Sequence, residues 1–133
     1  MLHNKIMTYK SDKAKREKGM QILNRLGFLK KSGTPIAPDF MDHIIEMLYG
    51  DIWSREDNID IKERSLITLS VLVALNRENE LKMHFRGAKN LGISKEKIEE
   101  MILHVSHYSG IPTGVSANQI LNDVWSEMDK ETR

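Results

Sequence analysis

Cysteine is missing from the 133-residue sequence. Its absence excludes disulfides, thiolate metal sites and any thiol-based redox cycle run within the chain. Neither sign of charge prevails, since 20 basic residues face 19 acidic ones and leave a net +1, so nucleic acid is not the default partner. No apolar stretch is long enough to span a bilayer, and Met1 to Tyr9 lacks the apolar core of a signal peptide. The chain is therefore expected to be cytoplasmic, with neither membrane nor nucleic acid among its partners. No strand pattern, internal repeat or low-complexity segment interrupts the sequence. The length suits one domain over residues 1–133, able to bury on the order of two thirds of the surface it exposes unfolded.

Helical stripes fill that length. Met20, Ile22, Leu23 and Leu26 give one from about Lys13 to Leu26, closed by Gly27. Phe28 to Pro38 carries Gly33, Pro35 and Pro38 and is expected to be a loop or extended arm. Asp39 is the expected N-cap of a second helix, in which Phe40, Ile44, Met47 and Leu48 share a face ending near Gly50 and His43 lies on the surface. Trp53 falls in the connection that follows, where an aromatic either caps a core or lines a ligand pocket. Asp60 and Glu63 form a capping box ahead of an apolar run, Leu66 to Leu75, interrupted only by Thr68 and Ser70. A run so apolar on all sides belongs in a core and predicts a third helix over Ile61 to Asn76. A fourth helix carries Leu81, His84, Phe85, Ala88 and Leu91 as far as Gly92. Ser94 caps a fifth with the stripe Ile98, Met101, Ile102 and Val105, which Gly110 and Pro112 end. A sixth is expected from about Thr113 to Met128. The expected architecture is an all-α, single-domain bundle of about six helices. The basic start, Lys10 to Lys18, contains Asp12 and Glu17 and reads as the solvated face of its helix.

The chemistry concentrates in Asn76-Arg77-Glu78-Asn79-Glu80-Leu81-Lys82-Met83-His84. On a helix Glu80 and His84 stand four residues apart on one face, close enough to touch. Burial pushes a carboxyl pKa up and an imidazole pKa down, while each group favours the other's charged form. Three readings of the pair are open. The first is a plain intrahelical ion pair, worth roughly a few tenths of a kcal/mol. The second is metal binding, since Glu100, His104 and His107 fall on nearly one helical face and His84 can join them. That spacing is not H-E-x-x-H, and no metal site is expected. The third is general acid–base chemistry, in which Glu80 and His84 handle a proton and one of Arg64, Arg77 or Arg86 holds an anionic substrate.

Beyond spacing, the chain resembles the carboxymuconolactone decarboxylase family. The resemblance rests on Gly50-Asp51-Ile52-Trp53-Ser54-Arg55, on Arg64-Ser65-Leu66-Ile67-Thr68-Leu69, and on Asn76-Arg77 through Glu80-Leu81-Lys82-Met83-His84 with Ala88 and Gly92. It continues through Glu99 and Ile102-Leu103-His104 to Tyr108-Ser109-Gly110-Ile111-Pro112. With Gly19-Met20 and Leu26-Gly27 it covers about the whole chain, its core motif region lying at residues 50–115. The resemblance implies an all-helical, alkyl hydroperoxidase D-like subunit that assembles into a homo-trimer or homo-hexamer and uses no cofactor. It also implies removal of CO2 from 4-carboxymuconolactone to give 3-oxoadipate enol-lactone, a step in the protocatechuate branch of the β-ketoadipate pathway of aromatic catabolism. The hydroperoxidase branch of the family carries C-x-x-C just before the matching histidine. Here Arg77 and Glu80 stand at those positions, which excludes its thiol-dependent peroxidase chemistry.

Residue by residue, the resemblance implies that His84, oriented by Glu80, delivers the proton that replaces CO2. Arg64 or Arg77 binds the anion and stabilises the enolate, and Trp53 and Tyr108 lie against the substrate. Four departures from the decarboxylase pattern surround the expected pocket: Tyr49 for Trp before Gly50, Ser109 for Cys, a loop Glu56 to Ile59 without Pro-Gly, and Thr113-Gly114 for a pair of small residues. They keep two alternatives open, a different small carboxylated or lactone substrate and a non-enzymatic binding or scaffold role. Two tryptophans and eight methionines, added to the apolar run, exceed what so short a chain buries alone, which also predicts an oligomer.

Overall fold

The computed structural model describes residues 10–30 and 33–132. The reading of Met1 to Tyr9, and of Lys31 and Ser32 in the expected arm, lies outside the described residues. Among these residues all regular structure is helical. Helix α1, Lys13–Leu26, starts at Asp12, whose carboxylate accepts from the Lys15 amide at 3.1 Å. It ends at Gly27, whose φ of 76° turns the chain so that the Phe28 amide donates back to the Leu23 carbonyl at 2.8 Å.

Helix α2, Pro38–His43, begins one residue before the expected cap, because proline suits a first turn whose amides need no helical partner. It runs without a break into a π-helical segment, Ile44–Trp53. Gly50 therefore does not stop this helix, as its sequence position suggested. It serves the crossing with α1: a Cβ on Gly50 would lie 2.2 Å from the Lys15 carbonyl oxygen, and one on Gly19 would lie 1.9 Å from that of Ile45. The two glycines let the backbones touch. The wider π turn also redraws the buried face, which carries Ile45, Tyr49 and Trp53, while Phe40 and Leu48 of the expected stripe lie outside. Trp53 belongs to the last turn of this segment and not to a connecting loop. Glu46, on the same inner side, is buried and accepts from the Asp12 amide and the Ser11 hydroxyl, fastening the start of α1.

Helix α3, Ile61–Ala74, opens with the Asp60 carboxylate accepting from the Glu63 amide at 2.8 Å. Helices α4, Glu78–Asn90, and α5, Lys95–Ser109, follow. Helix α6, Ile111–Glu131, starts earlier and runs longer than its stripe predicted, since Pro112 sits harmlessly in its first turn. Helices α3 to α6 enclose the larger core, centred on Leu69, Val73, Phe85, Ile102 and Leu121. A smaller one lies between α1 and the π segment, with Leu23, Leu26, Ile45, Tyr49, Trp53 and Ile61. The apolar run of α3 is not buried all round. Leu69 and Val73 face the larger core, but Ile67, Val71 and Leu75 remain 51%, 51% and 66% exposed. Helices α4, α5 and α6 pack on α3, and this i, i+4, i+8 stripe stays open to solvent. Among the described residues no helix is long and apolar enough to cross a membrane.

Candidate active site

The turn between α3 and α4 sets the site. Asn76 takes a left-handed conformation, φ 54°, a position usually given to glycine. The amide of Asn76 donates to Val73 and that of Arg77 to Leu72, which closes α3 and starts α4 at Arg77. Leu81, Phe85 and Ala88 then point into the larger core, and His84 lies beside them on the inner side of α4, facing the smaller one. Its ring lies 5.9 Å from that of Trp53, with planes 27° apart, and meets the edge of Phe28 at 5.3 Å. Tyr49 completes the enclosure through ring contacts with Trp53 at 5.6 Å and Phe28 at 6.4 Å.

Phe28 carries no mark of a site residue in the sequence. The Gly27 turn folds it back from the end of α1, and Gly87 makes room for it, since a Cβ there would lie 2.9 Å from the Phe28 ring. Asn90 locks the arrangement by donating its side-chain amide to the Leu26 carbonyl at 2.9 Å.

Enclosure governs the electrostatics. Burial lowers the His84 pKa to about 4, against a smaller upward pull from the Glu80 charge. The imidazole is thus neutral at neutral pH, and its Nδ1 is buried with no hydrogen-bond partner among the described residues. Burial likewise pushes the Tyr49 phenol up to about 12, so it stays protonated. Two other buried polar atoms, Ser65 Oγ and Arg64 Nε, also have no partner among the described residues. Folded proteins pair nearly all such groups, so three on neighbouring helices mark a stretch whose polarity is not spent on the fold.

The remaining expected residues divide. Glu80 lies at the surface and is held by Arg77, whose Nη2 donates to Glu80 Oε1 at 2.5 Å. That bond keeps the Glu80 carboxyl below the usual carboxylate range. Glu80 therefore reaches His84 through its charge, while its hydrogen bond goes to Arg77. Arg64 Nη2 donates to the Arg55 carbonyl at 2.8 Å. The guanidinium lines a cleft of about 810 Å³ between α1, the π segment and the loop leading to α3. His84 does not line this cleft, but Gly50 and Ser54 of its wall flank Trp53 in the sequence. The neutral imidazole with its unpaired buried Nδ1 is the centre of the candidate site, and the cleft is the open volume lined by Arg64 and the end of the π segment. Tyr108 is 84% exposed near the end of α5, with its ring against His104 at 5.4 Å, and is not brought to His84 within the chain. His107 Nδ1 is 2.9 Å from the Leu103 carbonyl of its own helix. Among the described residues no group of three His, Cys, Asp or Glu side chains is placed to hold a metal ion.

Comparison with known proteins places the chain in a family. The carboxymuconolactone decarboxylase family pattern matches residues 38–123, and the chain belongs to that family. A 4-carboxymuconolactone decarboxylase of Acinetobacter baylyi is 39% identical over 90 residues, 68% of this chain and 66% of that protein. A nitrosuccinic acid decarboxylase of Metarhizium robertsii is 32% identical over 98 residues, 74% of this chain and 68% of that protein. An uncharacterized 15.0 kDa protein of Paracoccus denitrificans is 31% identical over 98 residues, 72% of each chain. The chain thus spans about two thirds of the length of the two decarboxylases it matches.

Proposed function

We propose that the chain is a carboxy-lyase that removes CO2 from 4-carboxymuconolactone or a similar small carboxylated lactone. The product from 4-carboxymuconolactone is 3-oxoadipate enol-lactone, within the protocatechuate pathway of aromatic catabolism. The observation that carries this reading is His84, a neutral imidazole with an unpaired buried nitrogen, enclosed by Phe28 and Trp53. When the carbon–carbon bond breaks, its electron pair moves into the conjugated carbonyl, and one proton must then reach carbon. An anion bound beside His84 offsets the desolvation that keeps the ring neutral, so the imidazole takes a proton from solvent only when substrate is present. It then gives that proton to the enolate and returns to its resting state. Each turnover consumes one proton and releases one CO2. An apolar surround favours this step, because the reacting carboxylate loses its charge. Arg64 holds the anion from the cleft side, and Arg77 keeps the Glu80 carboxyl below the usual carboxylate range.

The subunit works as a cytoplasmic homo-trimer or homo-hexamer with an alkyl hydroperoxidase D-like fold, and Tyr108 reaches substrate across a subunit boundary. The exposed stripe Ile67, Val71 and Leu75 supports this, as does the exposure of Tyr108. The name of the Metarhizium relative supports a second substrate within the same chemistry, since nitrosuccinic acid also carries a carboxylate near an electron-accepting group. The test is incubation of purified protein with each acid while CO2 release is followed. Turnover of either acid that is lost in His84→Ala is expected, and no CO2 from either would reject the reading.

A further inference from the structure

The cleft beside the π segment has a charge pattern that the fold does not use. Of its acidic wall residues, Asp51 lies 3.5 Å from Lys15, and Glu56 accepts from Arg25 at 2.7 Å. Among the described residues Asp57 is the one wall carboxylate left without such a cation. Against it stand three cations from three different elements, Lys18 on α1, Arg55 on the loop and Arg64 on α3. Lys18 and Arg55 form no ion pair among the described residues. Arg64 is fixed differently. Its Nη2 donates to the Arg55 carbonyl, which ties the two arginines together as one wall. With Asp51 and Glu56 paired to Lys15 and Arg25, the wall keeps three cations against the single carboxylate of Asp57, a positive surplus that a bound anion offsets.

The geometry points to this cleft as the seat of the carboxylate that stays on the molecule, with Lys18 and Arg55 as specificity-determining residues for a dicarboxylate. This inference rests on the decarboxylation reading above, in which one carboxylate leaves near His84. A substrate that loses one carboxylate must be held by another group, or the anion escapes before reaction. Arginine presents paired N–H donors that match the two oxygens of a carboxylate, and Lys18 adds a point charge from α1. The cleft volume, about 810 Å³, exceeds what such a small diacid needs, so water remains alongside it.

The test uses succinate, a dicarboxylate that cannot react, titrated calorimetrically into the purified chain. Succinate is expected to bind more weakly as salt rises, and acetate at least tenfold more weakly than succinate, because acetate brings one negative charge towards the three cations and succinate brings two. Lys18→Ala and Arg55→Ala should each weaken succinate about two- to fivefold, the worth of one exposed ion pair. Arg55→Lys should recover part of the loss. Equal affinity for acetate and succinate, or affinity that survives both Lys18→Ala and Arg55→Ala in variants with unaltered circular dichroism, would overturn the assignment. So would the absence of succinate binding to the unaltered chain. An absence of CO2 release with this binding pattern intact would reject the reaction and leave the cleft assignment standing.

Discussion

The indole of Trp53 lies over the imidazole of His84, with ring centres 5.9 Å apart and planes 27° from parallel. The stacking couples two parts of the chain that the sequence separates. Trp53 ends the π segment and belongs to the smaller core, whereas His84 sits on α4 next to the larger one. Whatever moves the π segment changes how much water reaches the imidazole, and therefore how readily that imidazole takes a proton.

Replacing Trp53 tests that coupling. Trp53→Ala removes a side chain that is only 3% exposed, at a cost of about 3–5 kcal/mol. Trp53→Phe keeps the ring contact and should cost less. In both variants desolvation of His84 is relieved, so its pKa should rise from about 4 towards 6.5, further in the alanine variant. Imidazole proton shifts followed by NMR against pH measure it, and an unmoved titration would show that Trp53 does not keep the ring dry.

The same burial makes folding sensitive to acid. His84 titrates at about 4 in the folded chain, against 6.5 for a fully solvated histidine, so between those values the unfolded chain binds more protons. Stability is complete above 6.5 and is lost as pH falls towards 4. The total is about 3 kcal/mol. Roughly 2 kcal/mol of it is gone by pH 5. Urea unfolding at pH 7.5 and 5.0 should show this loss in the unaltered chain and a smaller one in His84→Gln. Equal losses would assign the acid sensitivity to other groups.

Gly50→Ala tests the crossing of α1 and the π segment. The new methyl would lie 2.2 Å from the Lys15 carbonyl oxygen, a backbone atom that yields only if the helices part. Overpacking of this kind costs about 1–3 kcal/mol. A fall in the denaturation midpoint with the unfolding slope unchanged is expected, and no fall would mean that the crossing is looser than its geometry.

The glycines also show what was legible in the sequence. Where glycine followed a complete apolar stripe, as at Gly27, the helix end was readable, and Asp60 and Ser94 marked helix starts correctly. At Gly50 the same residue type served a tertiary contact, and no local signal separates a stop from a crossing. The π segment was illegible for a related reason. Its register departs from the 3.6-residue period by which stripes are read, so Phe40 and Leu48 were assigned inward and Tyr49 was noticed only as a departure from a family pattern. His84 was legible as a titratable group on the inner side of its helix, and the structure buries it against Trp53 and Phe28. The partners of Glu80 were not legible, because Arg77 and His84 lie three residues before it and four after, and a helix brings both within reach.

Association is the next expectation. Val71 lies at the middle of the exposed α3 stripe and is 51% exposed, so Val71→Glu should leave the subunit folded and disrupt any assembly that buries the stripe. Sedimentation of the unaltered chain should give a trimer or hexamer at micromolar concentration, and the variant a smaller species. A 15.4 kDa species for the unaltered chain would remove the oligomer and with it any role for Tyr108 across a boundary.

The division of labour between His84, Glu80 and Arg64 yields the last expectation. If the imidazole carries the proton to carbon, His84→Ala should lower kcat by about two to four orders of magnitude, the usual worth of a positioned acid. Glu80 acts through its charge, which raises the His84 pKa. Glu80→Gln removes that help, so the limb of the pH–rate profile reporting His84 should move to lower pH, with a smaller loss of rate than in His84→Ala. Arg77→Ala frees the Glu80 carboxyl, which should then titrate closer to its ordinary value of 4.5. Arg64→Ala should raise KM if the guanidinium only holds the anion, and lower kcat as well if it stabilises the enolate. CO2 release across pH separates these outcomes. A pH profile unmoved by Glu80→Gln would leave Glu80 as a surface partner of Arg77, and a rate unaffected by His84→Ala would require another proton donor.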